Sequence, residues 1–310
     1  MFALALSAAE NANFPQTPLK SICSTEWFTL ILMAMNTPSS FFVVNFDPVI
    51  FSLGPYTVWG NELLLQVRWY GLMYVLGFLC AAWIFKRMSK EGLSKIAPNQ
   101  VENLIVYLII GMLIGSRTFY LLFYAEPGFV QNWIDIFAVW RGGLSFHGAL
   151  VGMLLAMWLF AYHHHLFFFE VTDWAAIAVT PGLFLGRIGN FINGELWGRV
   201  TDVPWAMIFP TAGPYPRHPS PLYEALFEGV FLFIVMWNLR KRVCWSGQLS
   251  AAFVLGYGII RIILECFREP DEQLGFYLEY ITMGQILSAG MIVVGIIWLV
   301  YSTKKKRPVG

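Results

Sequence analysis

Residues 281–301 read ITMGQILSAGMIVVGIIWLVY and are followed by Lys304, Lys305, Lys306 and Arg307. The quoted run has no charged side chain, and its length matches the ~20 residues a helix needs to cross the hydrocarbon core of a bilayer. Lipid offers a backbone no hydrogen-bond partner, so such a run must be helical. Six similar runs, near 68–87, 101–123, 144–163, 171–190, 220–240 and 248–268, bring the predicted spans to seven. Composition agrees: 57% of the 310 residues are hydrophobic and 13% charged, where a soluble domain carries about 25% charged residues. The predicted fold is an all-α polytopic membrane bundle of about seven transmembrane helices with a small outer head.

Charge placement orients the spans. Lys86, Arg87, Lys90 and Lys95 follow the first, Arg240, Lys241 and Arg242 the fifth, and Lys304 to Arg307 the seventh. Basic flanks mark the cytoplasmic side, which predicts an outer amino terminus and a cytoplasmic carboxyl terminus. Nine basic residues remain: Lys20 and the arginines at 68, 117, 141, 187, 199, 217, 261 and 268. This topology puts all eight arginines in the outer half or the outer loops, against the charge rule. A planar guanidinium grips phosphate with two parallel hydrogen bonds, whereas lysine is a point charge. The arginines therefore point to an anionic, phosphate-bearing ligand.

The expected organisation is an N-terminal tail over 1–40, disordered or preceding a later start at Met35, then an outer interfacial segment over 41–67. A transmembrane domain over 68–301 holds a head loop at 191–219, and 302–310 forms a basic cytoplasmic tail. Cys23, Cys80, Cys244 and Cys266 lack paired spacing, so neither a disulfide framework nor a metal ribbon is expected. His163, His164 and His165 are consecutive, and a helix splays such neighbours by about 100°.

Three motifs carry candidate chemistry. Arg141–Gly148, RGGLSFHG, places His147 at the outer start of the third span, where an imidazole suits proton transfer. Gly186–Arg199, GRIGNFINGELWGR, collects Arg187, Asn190, Asn193, Glu195 and Gly198 where the fourth span gives out. Polar and ionisable groups within a span are costly, so a functional site is the default reading. In the sixth span Tyr257, Arg261, Glu265 and Arg268 recur at helical spacing and form one polar stripe. Arg261–Glu265 can be an internal pair, and Arg187 and Arg261 can converge on one anion. Residues 217–224, RHPSPLYE, read as a helix start with Ser220 as N-cap, Pro221 in the first turn and Glu224 facing the helix dipole. No HExxH, Walker loop or GxSxG occurs, which removes support for metalloprotease, NTPase and nucleophile-elbow hydrolase readings.

Taken together, residues 69–74 (WYGLMY), 143–148 (GLSFHG), 186–199, 217–220 (RHPS), Tyr257-Gly258 with Arg261, 267–271 (FREPD) and 283–285 (MGQ) resemble the prolipoprotein diacylglyceryl transferase family. The resemblance spans about residues 45–301 and departs from the family in a longer tail, an apparent insertion at Tyr56–Val67 and a short head after Phe209. It implies an enzyme of the bacterial inner membrane that moves the diacylglyceryl group of phosphatidylglycerol to a lipobox cysteine thiol of a prolipoprotein. A thioether forms and glycerol 1-phosphate leaves. By the same resemblance His147 accepts the thiol proton, and Arg187 and Arg261 stabilise the phosphate. Tyr70, Asn190, Asn193, Glu195, Gly198, Tyr257, Arg117 and Glu265 line the substrate. The partners implied are phosphatidylglycerol, prolipoproteins and the bilayer; no metal, organic cofactor or nucleic acid is called for. The competing reading is a secondary transporter or flippase of an anionic lipid, against which stands the lack of internal repeats and paired broken helices.

Overall fold

The computed structural model describes residues 41–58, 61–126, 128–130, 132–137, 142–270, 276–277, 281–305 and 307. The tail read over 1–40, together with Arg141, lies outside these. Val43–Gly310 forms one compact unit. Among the described residues seven helices are long and apolar enough to cross a membrane. They are α1 Trp69–Lys90, α2 Val101–Phe123, α3 Phe146–His163, α4 Phe168–Ile192, α5 Ser220–Leu239, α6 Gln248–Glu265 and α7 Met283–Lys305. This is the polytopic helical membrane protein that composition predicts. Exposed aliphatic side chains such as Leu79, Ile114 and Ile297 coat the outside, as a lipid-facing surface requires.

The helices pack chiefly as α1 on α4, α2 on α3 and α6 on α7. Small residues set the α2–α3 contact. Gly111 and Gly115 face Gly148 and Gly152, and a Cβ on any of the four would strike backbone of the other helix. Such small-xxx-small faces let helices approach closely where no hydrophobic effect drives them together.

The dry core gathers at the end of the bundle that carries the basic flanks. Ile84, Phe85 and Met88 of α1, Leu104 of α2, Phe160 of α3, Trp174 and Ile177 of α4, Met236 of α5 and Leu249 of α6 are fully buried there. Asp173 in α4 caps the start of α6, accepting the N–H groups of Gly247 and Ser250 and the Ser250 hydroxyl at 2.6–2.8 Å. Polar side chains concentrate at the opposite end.

Four details differ from the sequence reading. β1 Val49–Val58 pairs antiparallel with β2 Asn61–Arg68, so the described residues of the stretch Tyr56–Val67 are strand in a mainly helical fold. α5 begins at Ser220 with Pro219 at the cap position and no side-chain cap bond, so Ser220 is not the N-cap. Its middle, Ala225–Phe231, widens into a π-helix, an irregularity that often marks functional positions. α6 stops at Glu265. Arg268 therefore leaves the helical stripe, and its backbone bridges Gly198 instead.

Candidate active site

Three helices converge on two carboxylates at the polar end. Glu224 and Glu228 lie one turn apart in α5 and have no exposed side-chain surface. Arg187 of α4 reaches Glu224 Oε2 with Nε at 2.9 Å and Glu228 Oε2 with Nη2 at 3.0 Å. Arg261 of α6 places Nη1 at 2.6 Å from Glu224 Oε1 and 3.5 Å from Glu228 Oε1, and Nη2 at 2.7 Å from Glu265 Oε2. Arg268 adds a contact of 3.2 Å from Nη1 to Glu224 Oε1. Arginines 187, 261 and 268 thus face carboxylates 224, 228 and 265, and the cluster is formally neutral. Buried charges need such pairing, because taking a lone ion out of water costs far more than a protein can bear.

Arg187 and Arg261 do converge, as expected, but on protein carboxylates. Glu224 sits at the centre of the cluster and is not a dipole-facing surface residue. The sequence reading has Glu224 only as a helix-start residue and does not include Glu228. Their signal is the pair of carboxylates four residues apart inside an apolar span. Nη1 of Arg187 has no partner among the described residues. The Arg261–Glu265 pair is formed, and Glu265 also accepts the Thr282 hydroxyl at 2.9 Å. Gly284 leaves room for that carboxylate, since a Cβ there would overlap it.

Just past Arg187, the carboxylate of Glu195 accepts the side-chain amides of Asn190 at 2.8 Å and Asn193 at 3.1 Å. The α4 helix ends there because Gly194 adopts φ +64°, a left-handed conformation glycine takes without strain. Tyr70 packs over Gly189 of α4, where a Cβ would meet its ring, and its hydroxyl lies 3.4 Å from that of Tyr74. Tyr257 stacks on Phe253 one turn before Arg261. An open apolar cavity of about 560 Å³ adjoins the end of α4, lined by Phe191 and Ile192 with Phe46, Val49 and Trp69.

Gly198 is a crossing point of backbones. Its N–H donates to His218 O at 2.9 Å and its carbonyl accepts Arg217 Nη1 at 3.1 Å. Arg199 N–H donates to Phe267 O at 2.9 Å, and Arg199 Nε to Arg268 O at 3.0 Å. These bonds tie the loop after α4 to the end of α6 and so aim Arg268 at Glu224. Burial holds the neighbouring His218 imidazole below its ordinary pKa. Its Nδ1 lies 3.2 Å from the Tyr223 hydroxyl, which also accepts Trp205 Nε1 at 2.6 Å.

His147 and Arg117 stand apart from this cluster. Arg117 donates to the carbonyls of Ile136, Gly142 and Gly143 at 2.8–3.0 Å, and also to that of Asp135. Ser116 O accepts Ser145 N–H at 3.0 Å, and Ser145 Oγ caps α3 through Gly148 N–H. The turn between them needs glycine, with φ +83° at Gly142 and +74° at Gly143. Arg117 therefore fixes the loop from which His147 projects. The His147 ring is exposed and packs against Phe146.

Fold and site together define a multi-pass helical membrane protein with a buried, charge-balanced arginine–glutamate cluster at one end of its bundle. Residues 59–301 match the prolipoprotein diacylglyceryl transferase family. The chain is 48% identical over 265 residues to the phosphatidylglycerol--prolipoprotein diacylglyceryl transferase of Oleidesulfovibrio alaskensis, covering 84% of this chain and 95% of the relative. It is 46% identical over 264 residues to the protein of that name from Shewanella sp. (strain ANA-3), covering 85% and 96%. The corresponding figures for Aeromonas hydrophila are 48% over 264 residues, covering 84% and 92%. The chain belongs to the prolipoprotein diacylglyceryl transferase family.

Proposed function

We propose that the chain transfers the diacylglyceryl group of phosphatidylglycerol to the lipobox cysteine thiol of prolipoproteins. It would do so from the bacterial inner membrane, with its amino terminus and the 191–219 head on the periplasmic side and its basic 302–310 tail in the cytoplasm. The observation that carries this reading is similarity to transferases of that name along 92–96% of their length, in a chain whose arginines gather at the end opposite its basic flanks.

The thiol gives up its proton to His147, and the thiolate sulfur attacks the glyceryl carbon that bears the phosphate ester. The carbon–sulfur bond forms as the carbon–oxygen bond breaks, and glycerol 1-phosphate leaves with the bonding electrons. A thiol is a poor nucleophile until deprotonated, and a positioned imidazole supplies the base. The exposed ring of His147 is open to an acceptor peptide arriving from outside. Arg187 offers its unpartnered Nη1 to the phosphate. Arg261 and Arg268 share the restraint of Glu224 and Glu228, so charge growing on the leaving group meets guanidinium groups already fixed in place. Glu195, held by Asn190 and Asn193, takes a glycerol hydroxyl, with Tyr70 and Tyr257 shaping the pocket. Arg117 acts through the His147 loop as a positioning residue, and Gly198 and Glu265 serve the cluster's frame.

The test uses the full-length protein in neutral micelles with phosphatidylglycerol and a synthetic lipobox peptide, read by mass spectrometry of the peptide. A mass gain of one diacylglyceryl group, absent when the cysteine is replaced by serine, is expected. A peptide of unchanged mass, with lipid movement across vesicles instead, would overturn the assignment in favour of a transporter.

A further inference from the structure

We infer that the end of the bundle bearing the basic flanks holds a second site, which binds the phosphate group of an anionic phospholipid. A cavity of about 210 Å³ lies there, bordered by Phe167, Ser246, Trp298, Ser302, Lys305 and Arg307. One water needs ~10–15 Å³ on this measure, so the cavity is large enough to admit a headgroup phosphate.

Two buried polar groups on this cavity lack a hydrogen-bond partner among the described residues. Ser246 is 6% exposed, yet its Oγ has no hydrogen-bond partner among the described residues, and neither does the buried Trp298 Nε1. An indole nitrogen can only donate. Buried polar groups in folded proteins are nearly always paired, so two orphans on one cavity ask for a ligand. The carboxylate of Asp173 is engaged with Gly247 and Ser250 and makes no bond to either orphan. Ser302 donates to Leu299 O.

Charge selects the ligand. At this end Lys86 pairs with Glu102 and Lys95 with Glu170, while Arg87, Arg240 and Lys241 share the one carboxylate of Glu91, which leaves the end with an excess of positive charge. Lys305 and Arg307 form no ion pair among the described residues. The guanidinium of Arg307 lies over the Phe167 ring at 4.4 Å and the ammonium of Lys305 over Tyr301 at 5.7 Å. Arg307 O accepts Ser246 N–H at 2.8 Å, which fixes Arg307 beside the cavity. Two unpaired cations and two neutral donors form a phosphate-binding set. The exposed side chains of Ile297 and Val300 lie on α7, the helix that carries Trp298 and Lys305, and offer acyl chains a surface. That setting favours a lipid phosphate over a free one.

The experiment follows the indole ¹⁵N–¹H signal of Trp298 in the full-length protein in phosphatidylcholine nanodiscs. The signal is assigned by its loss in Trp298→Phe, and the other 12 tryptophans report on folding. Introducing dioleoyl phosphatidic acid should shift this signal downfield, while inorganic phosphate alone should leave it in place. Ser246→Ala should raise the half-saturating lipid fraction about tenfold, as for one lost charge-assisted hydrogen bond. Lys305→Gln/Arg307→Gln should abolish the shift at all attainable fractions. A Trp298 signal indifferent to both ligands overturns the site, as does a shift that persists unaltered in both variants. A shift with inorganic phosphate alone overturns the lipid as its source.

Discussion

Arg187 in the fourth transmembrane helix and Arg261 in the sixth are bound to opposite oxygens of one buried carboxylate, that of Glu224, at 2.9 and 2.6 Å. Each guanidinium thus finds a counter-ion before any substrate arrives. Fixed donors at a developing charge need no reorganisation during the reaction, so the glutamates are as much a part of the proposed site as the arginines.

Removing the Glu224 charge should therefore unbalance the cluster. Glu224→Gln leaves Arg187, Arg261 and Arg268 against only Glu228 and Glu265. Breaking a buried pair on one side costs about 3–5 kcal/mol, or roughly 10 °C of melting temperature at about 2–4 °C per kcal/mol. Adding Arg268→Gln restores neutrality and should recover part of the loss. Thermal unfolding of both variants in micelles measures this; a double variant no more stable than the single one would argue against charge balance.

Arg187→Lys should retain the fold and lose turnover. Lysine keeps the positive charge and can satisfy one glutamate, but it has no third nitrogen to present to the phosphate. Transfer should fall tenfold or more, with about 1.4 kcal/mol of lost transition-state stabilisation per decade. Wild-type turnover from a variant of normal melting temperature would remove Arg187 from the chemistry.

Gly198→Ala should disrupt the head. The added Cβ would lie 2.6 Å from His218 Cβ, His218 O and Phe267 O, and two of these are backbone atoms that no rotamer change can move. Overpacking of this kind costs about 1–3 kcal/mol. Gly186→Ala is the control, since nothing lies within 4 Å of its Cβ position. Limited proteolysis of residues 199–217 should accelerate in the first variant only.

How far the sequence revealed this site depended on what each residue needed from distant chain. The spans were legible because hydropathy and basic flanks are local properties. So were Asn190, Asn193 and Glu195, whose mutual bonds span five residues at most. The partners of Arg187 lie 37 and 41 positions away, and no local pattern ties them to it. Glu224 was obscured because Ser-Pro-x-x-Glu reads equally well as an exposed helix start. Arg117 resembled a phosphate ligand by type and depth, but its partners are backbone carbonyls, which sequence does not distinguish. The strand pair within 49–68 was hidden by Leu63-Leu64-Leu65, a run without the alternation of a half-buried strand.

Acid should loosen the head through His218. Burial lowers its folded pKa below the unfolded value, so the folded state binds fewer protons across that interval. Its contribution is fully present above the unfolded value of ~6.5 and is lost as pH falls through the folded pKa. Melting temperature should drop between pH 7.5 and 5, and His218→Gln should flatten part of that dependence. An unchanged slope in the variant would assign the acid sensitivity to other groups.

His147 allows chemistry and structure to be separated. Only a neutral imidazole accepts a proton, so acid should slow the wild-type enzyme if His147 is the base. The ring is exposed and makes no hydrogen bond among the described residues, so His147→Asn should leave the helix start intact, with Arg117 and Ser145 still holding the preceding loop. Phosphatidylglycerol binding should survive in the variant, while transfer at neutral pH falls by roughly two to four decades. Raising the pH should restore part of the rate, because the acceptor thiol then ionises without help. Lipid binding and single-turnover transfer are to be followed from about pH 6 to 9. Wild-type speed in the variant at pH 6 would take His147 out of the mechanism. Loss of lipid binding would make it a headgroup contact and move the search for the base to Glu195, whose carboxylate is held by Asn190 and Asn193 just past the helix that carries Arg187.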